Sequence, residues 1–150
     1  MKLVFATNNS NKLSEIRSLV PKGIEILSLK DINCLEELPE TQNTLEGNAL
    51  QKAQYIYDNF GHNCFADDTG LEIDILNGEP GVYSARYAGD ECNSEDNIEK
   101  VIEKLEGEED RKAKFRTVIA LIIDGTETLF EGICVGEITK KKSGSEGFGY

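Results

Sequence analysis

Residues Cys64-Phe65-Ala66-Asp67-Asp68-Thr69-Gly70-Leu71 constrain the fold more than any other stretch. They begin apolar, as a buried strand does, then place two adjacent carboxylates, a hydroxyl and a glycine where that strand is expected to end. Alternation resumes at Leu71, Ile73 and Ile75, which predicts a second strand. In open α/β sheets, ligands bind at the carboxyl ends of strands. Two like charges placed there repel each other. They become useful where a divalent cation joins them to a polyanionic ligand. Taken alone, an Asp-Asp pair is better read as a solvated turn, so the weight falls on the rest of the chain.

Lys2 to Ala6 is a short apolar run, expected to be a buried strand. It leads into Thr7-Asn8-Asn9-Ser10-Asn11-Lys12, and Leu13, Ile16, Leu19 and Val20 then recur at helical spacing until Pro21 stops them. A polar turn between a strand and a helix start offers backbone N–H groups and the positive end of the helix dipole to an anion. Lys12 adds a mobile cation. The same turn is equally well read as a helix cap by Asn9 or Ser10, since no glycine-rich phosphate loop is present. Ile24 to Leu29 alternates as a strand, and Asp31 to Gln42 is an acid-rich loop. Thr44 is the expected cap of a long helix whose apolar face is Leu45, Ala49, Ala53, Ile56 and Phe60, with Gly61 ending it. Asn48 and Lys52 share another side of that helix. By itself Lys52 reads as a solvated surface lysine.

Asn77-Gly78-Glu79-Pro80-Gly81 is a turn, and Val82 to Tyr87 is a loop that combines aromatics with Arg86. Ser94 is the expected cap of a third helix, with the stripe Ile98, Val101, Ile102 and Leu105 and an end at Gly107; it carries no chemical signature. Phe115 to Ile123 and Leu129 to Ile138 are the strongest strand candidates, and Asp124-Gly125 between them predicts an antiparallel hairpin. Lys140-Lys141-Lys142 reads as a solvated turn. Gly147-Phe148-Gly149-Tyr150 places aromatics between glycines, which suits close approach to a flat ligand.

A chain of 150 residues fits one domain. Its net charge of −12 argues against binding polymeric nucleic acid, which needs a basic surface, but not against a small phosphorylated substrate. No apolar run is long enough to cross a bilayer, and the opening residues lack a signal-peptide pattern, so the expected location is cytoplasmic. The four cysteines form no Cys-x-x-Cys or zinc spacing; Cys64 and Cys134 fall in apolar runs and are expected to be core residues. His62 is the only histidine, so no histidine-based triad or multi-histidine metal site is available.

In order along the chain stand Thr7-x-Asn9-x-x-Lys12, Glu40-Thr41 with Thr44-Leu45, Asn48-Ala49-x-x-Lys52-Ala53, Ala66-Asp67-Asp68-Thr69-Gly70-Leu71, Pro80-Gly81-x-x-Ser84-Ala85-Arg86-Tyr87-Ala88-Gly89 and Gly147-Phe148-Gly149-Tyr150. In this ordered set the chain resembles the inosine/xanthosine triphosphate pyrophosphatase (ITPase) family. The resemblance implies an α/β fold with a long mixed sheet flanked by helices, in two lobes with a central cleft. It implies hydrolysis of a non-standard purine nucleoside triphosphate (ITP, dITP or XTP) to the monophosphate and pyrophosphate, with Mg²⁺, by a homodimer. It assigns the Thr7 to Lys12 turn (Thr7, Asn8, Asn9, Ser10, Asn11, Lys12) and Lys52 to the phosphates, Thr69 to substrate contact, and Phe148, Gly149 and Tyr150 to the base pocket. Glu40, Asp67 and Asp68 are assigned to the metal, and Asp68 is the proton acceptor for the attacking water. The family pattern continues past Tyr150 into a segment that helps read the purine, so residues 1–150 are expected to be one ITPase-like domain without that segment. Two other readings are a septum-inhibitor-type nucleotide pyrophosphatase of related fold and a catalytically silent nucleotide-binding protein. Ser84-Ala85-Arg86-Tyr87 favours ITPase over the first, and the retained Glu40, Asp67 and Asp68 argue against the second.

Overall fold

The computed structural model describes residues 1–89 and 93–138. Six strands form one sheet: β1 (Lys2–Phe5), β2 (Glu25–Leu27), β3 (Cys64–Ile73), β4 (Pro80–Gly81), β5 (Lys112–Ile123) and β6 (Thr126–Glu137). The order is β2-β1-β3-β5-β6, with β4 paired to β3. β1 runs parallel to both β2 and β3, and β4 is antiparallel to β3, so the sheet is mixed. Three helices accompany it: α1 (Ser10–Leu19), α2 (Leu45–Phe60) and α3 (Ser94–Lys104). This is the α/β class with a mixed sheet that the family resemblance implies.

The chain divides into two compact units, Met1–Asp68 with Val118–Glu131, and Thr69–Thr117 with the chain from Gly132. In the first unit, Leu3, Phe5, Ile26 and Phe65 form a buried cluster against Leu13, Ile16 and Val20 of the α1 segment and Ile119, Leu121 and Ile123 of β5. The Phe5 and Phe65 rings stack at 4.4 Å between centroids, an arrangement that adds to their burial. In the second unit, Ile73, Val101, Leu105 and Ala113 are buried together.

Local chemistry sets the element ends. Asn9 caps α1 with its side chain accepting from the Asn11 and Lys12 amides, and Thr44 caps α2 by accepting from Gly47. Gly61 ends α2 in the left-handed region with φ 69°. Asp124 and Gly125, both at positive φ, make the two-residue turn between β5 and β6.

Several expectations need correction. The Asp67-Asp68 pair does not end a strand: β3 continues through it without a break to Ile73. What ends is the neighbour, since β1 stops at Phe5 and pairs with β3 only as far as Phe65. Ile75 leaves the strand for a single 3₁₀ turn and is exposed. Asn93, not Ser94, caps α3, because the asparagine oxygen accepts from the Glu95 and Asp96 amides. Leu105, not Gly107, is the C-cap of α3; Gly107 follows at positive φ. Leu19 is 77% exposed, so the apolar face of the α1 segment is Leu13, Ile16 and Val20 alone. Cys64 is buried as expected, but Cys134 is exposed, because it lies on the outer strand β6, where every residue is exposed. Phe148, Gly149, Tyr150 and the Lys140 to Lys142 run lie outside the described residues.

Candidate active site

The site is assembled within the first unit from three pieces: the turn after β1, the loop before α2, and the part of β3 that outruns β1. A parallel strand that ends early leaves the next strand's polar residues beyond its carboxyl end, where ligands are bound in α/β sheets. Ala6 donates its N–H to Phe65 O at 2.8 Å as the last of this ladder. Asp67 and Asp68 follow immediately.

The two aspartates differ sharply. Asp67 is buried, and its Oδ2 accepts from Lys12 Nζ at 2.8 Å. Asp68 has a buried Oδ2 with no hydrogen-bond partner among the described residues. Its carboxyl is pushed up to about 6. Burial is the main cause, followed by the opposing pull of the Lys52 ammonium; the Glu40 and Asp67 carboxylates raise it further, while the Asn48 side-chain amide favours the charged form.

Lys52 is not the solvated lysine that its position suggests. It is 9% exposed, and its Nζ donates to Asp67 O at 2.7 Å and pairs with Glu40 Oε1 at 2.8 Å. A lysine is seldom buried without partners, and here it ties the acidic loop to the backbone of β3.

The turn after β1 adopts the capping arrangement. Thr7 Oγ1 accepts from the Asn9 amide at 3.1 Å, and Asn9 Oδ1 accepts from the Asn11 and Lys12 amides at 3.0 and 3.1 Å. Those donors are therefore satisfied by the protein's own side chains. Thr69 falls in the second unit, where its hydroxyl meets the Thr117 hydroxyl at 2.8 Å.

Glu40, Asp67, Asp68, Lys12 and Lys52 are thus brought into one network. Among the described residues, no three His, Cys, Asp or Glu side chains stand together as a ready metal cage. Glu40 and Asp67 are each held by a lysine instead. The donor set still suits a hard divalent cation: all three are carboxylates, and the buried Asp68 Oδ2 lacks the donor that a buried acceptor requires.

Sequence reasoning missed Gln51, and it named Asn48 only as sharing a side of the helix with Lys52 and as part of a motif. Gln51 Oε1 accepts from the Thr41 amide at 2.8 Å, and its Nε2 donates to Thr41 Oγ1 at 2.8 Å. Asn48 Oδ1 accepts from the Gln42 amide at 2.9 Å. Their spacing offered a clue: Asn48, Gln51 and Lys52 are polar at i, i+3 and i+4 on a helix that is otherwise well packed.

A sequence model of the Ham1 family matches residues 3–150. A dITP/XTP pyrophosphatase of Flavobacterium johnsoniae is 57% identical over 150 residues, covering 100% of this chain and 78% of the relative. One from Christiangramia forsetii is 61% identical, with 100% and 79% covered. Among solved structures, a HAM1 protein from Coxiella burnetii superposes with a TM-score of 0.91 at 36% identity, covering 100% of this chain and 79% of that one. The Ham1 protein of Staphylococcus aureus gives 0.89 at 38% identity, with 100% and 78% covered. With nearly its whole length matched at this identity, the chain belongs to the Ham1 family.

Proposed function

We propose that this chain hydrolyses non-standard purine nucleoside triphosphates such as dITP, XTP and ITP to the monophosphate and pyrophosphate. We further propose Mg²⁺ as cofactor, a homodimer as the working form and the cytoplasm as the location. The observation that carries the reading is the Asp68 carboxylate beside Lys52, whose Oδ2 is buried and has no hydrogen-bond partner among the described residues. The relatives named dITP/XTP pyrophosphatase supply the substrate class.

Water attacks the α-phosphorus, the P–O bond from it to the α–β bridging oxygen breaks, and pyrophosphate leaves with that oxygen. Asp68 takes the proton released by the attacking water. A carboxyl near 6 is mostly ionised at neutral pH yet basic enough to hold that proton, which suits a general base. Lys12 and Lys52, now neutralised by Asp67 and Glu40, exchange these partners for phosphate oxygens. The Thr7 to Lys12 turn cradles the same phosphates, and Thr69 contacts the substrate. The family resemblance assigns Phe148, Gly149 and Tyr150 to the base pocket. Glu40, Asp67 and Asp68 would hold Mg²⁺, which acidifies bound water and offsets phosphate charge.

The test is product analysis with dITP, XTP, ITP and the standard triphosphates, with Mg²⁺ and with chelator. Pyrophosphate released from the non-standard purines, and only with the cation, is the expected result. Release of orthophosphate, or equal turnover of dATP and dITP, would overturn the reading.

A further inference from the structure

The loop that delivers Glu40 is fastened to α2 at three points that the reaction itself does not require. Gln51 grips Thr41 twice, through the backbone amide and the hydroxyl, each at 2.8 Å. Asn48, buried at 2% exposure, takes the amide of Gln42 at 2.9 Å. Gly47 completes the contact: a Cβ there would stand 2.7 Å from Gln42 Cβ, so the loop lies directly on the first turn of the helix. All three fastenings fall on the two residues after Glu40. Two of them hold main-chain amides and the third holds the Thr41 hydroxyl, so they fix the path of the backbone whatever the Glu40 side chain does. Glu40 itself is half-exposed and pairs with Lys52. That partner is also assigned to phosphate, so the pair cannot be what keeps Glu40 in place once substrate has bound.

We propose that Gln51, with Asn48, is a positioning residue for Glu40: the α2 clamp on Thr41 and Gln42 sets where the Glu40 carboxylate stands, independently of Lys52. The inference rests on the reading of Glu40 as a metal ligand. Groups that orient a ligand without touching the metal commonly matter almost as much as the ligand, and losing one costs ~10- to 100-fold in metal affinity.

The decisive variant is Gln51→Leu, which keeps the side-chain volume and removes both hydrogen bonds. Gln51 is only half-buried, so the fold is expected to stand. Amide hydrogen exchange should quicken at Thr41 and Gln42 in the loop and nowhere in α2. The Mg²⁺ concentration for half-maximal turnover should rise ~10-fold or more, while the KM for dITP at saturating Mg²⁺ stays near that of the parent. Gln51→Glu should restore both readouts, because a carboxylate can accept from the Thr41 amide and from its hydroxyl. A general loss of packing would move KM and exchange throughout the helix, and the glutamate would not rescue it. Faster exchange without a changed Mg²⁺ requirement would overturn the proposal, as would unchanged exchange. Glu40→Gln is measured alongside. If it raises the Mg²⁺ requirement and Gln51→Leu does not, the positioning role alone is wrong. If neither variant does, the metal assignment of Glu40 fails, and the proposal with it.

Discussion

Helices α2 and α3 repeat one device and then part. Each buries an asparagine at its fourth position, Asn48 at 2% exposure and Asn97 at 3%. Each uses it to hold a nearby loop by its backbone. Asn48 takes the Gln42 amide at 2.9 Å; Asn97 takes the Ala88 amide at 2.8 Å and donates to Ala85 O at 2.8 Å. One turn further on, α2 buries Lys52 and α3 buries Val101. Burying an amide whose hydrogen bonds are made is a normal part of architecture. Burying an ammonium is expensive unless it is paired, and Lys52 is paired with the acidic loop and the strand that carries Asp68. The asparagine therefore marks a held loop in both helices, and only the charge sets the candidate active site apart.

The largest test of this contrast is at the end of the α2 network. Asp68→Asn should lower kcat for dITP by ~100- to 10,000-fold, the usual cost of a lost general base, while circular dichroism stays that of the parent. Retained turnover in this variant, with loss in Asp67→Asn, would reverse the roles of the two aspartates.

A second test sets the two asparagines against each other. Asn48→Ala and Asn97→Ala should each cost ~1–3 kcal/mol of stability, because each removes a buried side chain and leaves a part-buried loop amide without its acceptor. Urea midpoints measure this. Only Asn48→Ala should also reduce kcat/KM after correction for the folded fraction. An equal loss from Asn97→Ala would break the distinction between held loop and active site.

A third test uses pH. The Asp68 carboxyl is raised from 3.8 to about 6 in the folded protein, chiefly by burial. The folded state therefore binds a proton more tightly than the unfolded state. The linked stability is fully present below pH 4 and is lost as pH rises through 6. It amounts to on the order of 1–3 kcal/mol. The metal-free protein should lose this increment between pH 4 and 7, and Asp68→Asn should not. Identical pH profiles in the two proteins would remove burial as the cause.

The smallest effects belong to the caps. Thr44→Ala and Asn93→Ala each remove a side chain that accepts helix amides. Each should lower the thermal midpoint by an amount equivalent to ~0.5–2 kcal/mol. Turnover of the remaining folded protein should hardly change in Asn93→Ala. Thr44→Ala, two residues from Gln42, should show the larger fall in activity.

Much of this was legible because it is periodic or local. The apolar face Leu45, Ala49, Ala53 and Ile56 is buried as its spacing predicts, and Asp124-Gly125 turns the hairpin as its dipeptide predicts. The acids and lysines of the site could be named because each stands in a short motif. What could not be read is everything that depends on a partner distant in the chain. Lys52 reads as a surface lysine until Asp67 O and Glu40 lie beside it. The Asp-Asp pair reads as a strand end because its own sequence turns polar there, yet the strand that stops is β1. Cys134 reads as core because its run is apolar, and only the strand order shows that β6 is outermost. Gln51 carries no motif at all; its meaning lies in the Thr41 backbone ten residues before it.

The division of the chain bears on how it is made. The first unit is not continuous: it consists of Met1–Asp68 and a second stretch, Val118–Glu131, that supplies the inner part of β5. Ile119, Leu121 and Ile123 from that stretch complete the cluster around Phe5 and Phe65. On the ribosome, Asp68 emerges well before these residues exist. At ordinary elongation rates, about fifty intervening residues delay them by roughly 2–10 s. During that interval β1, β2 and the start of β3 have no β5 beside them, and the nascent chain carries an apolar sheet face with one flank open. Translation speed through residues 69–117 thus sets how long the first unit waits for the strand that completes its core.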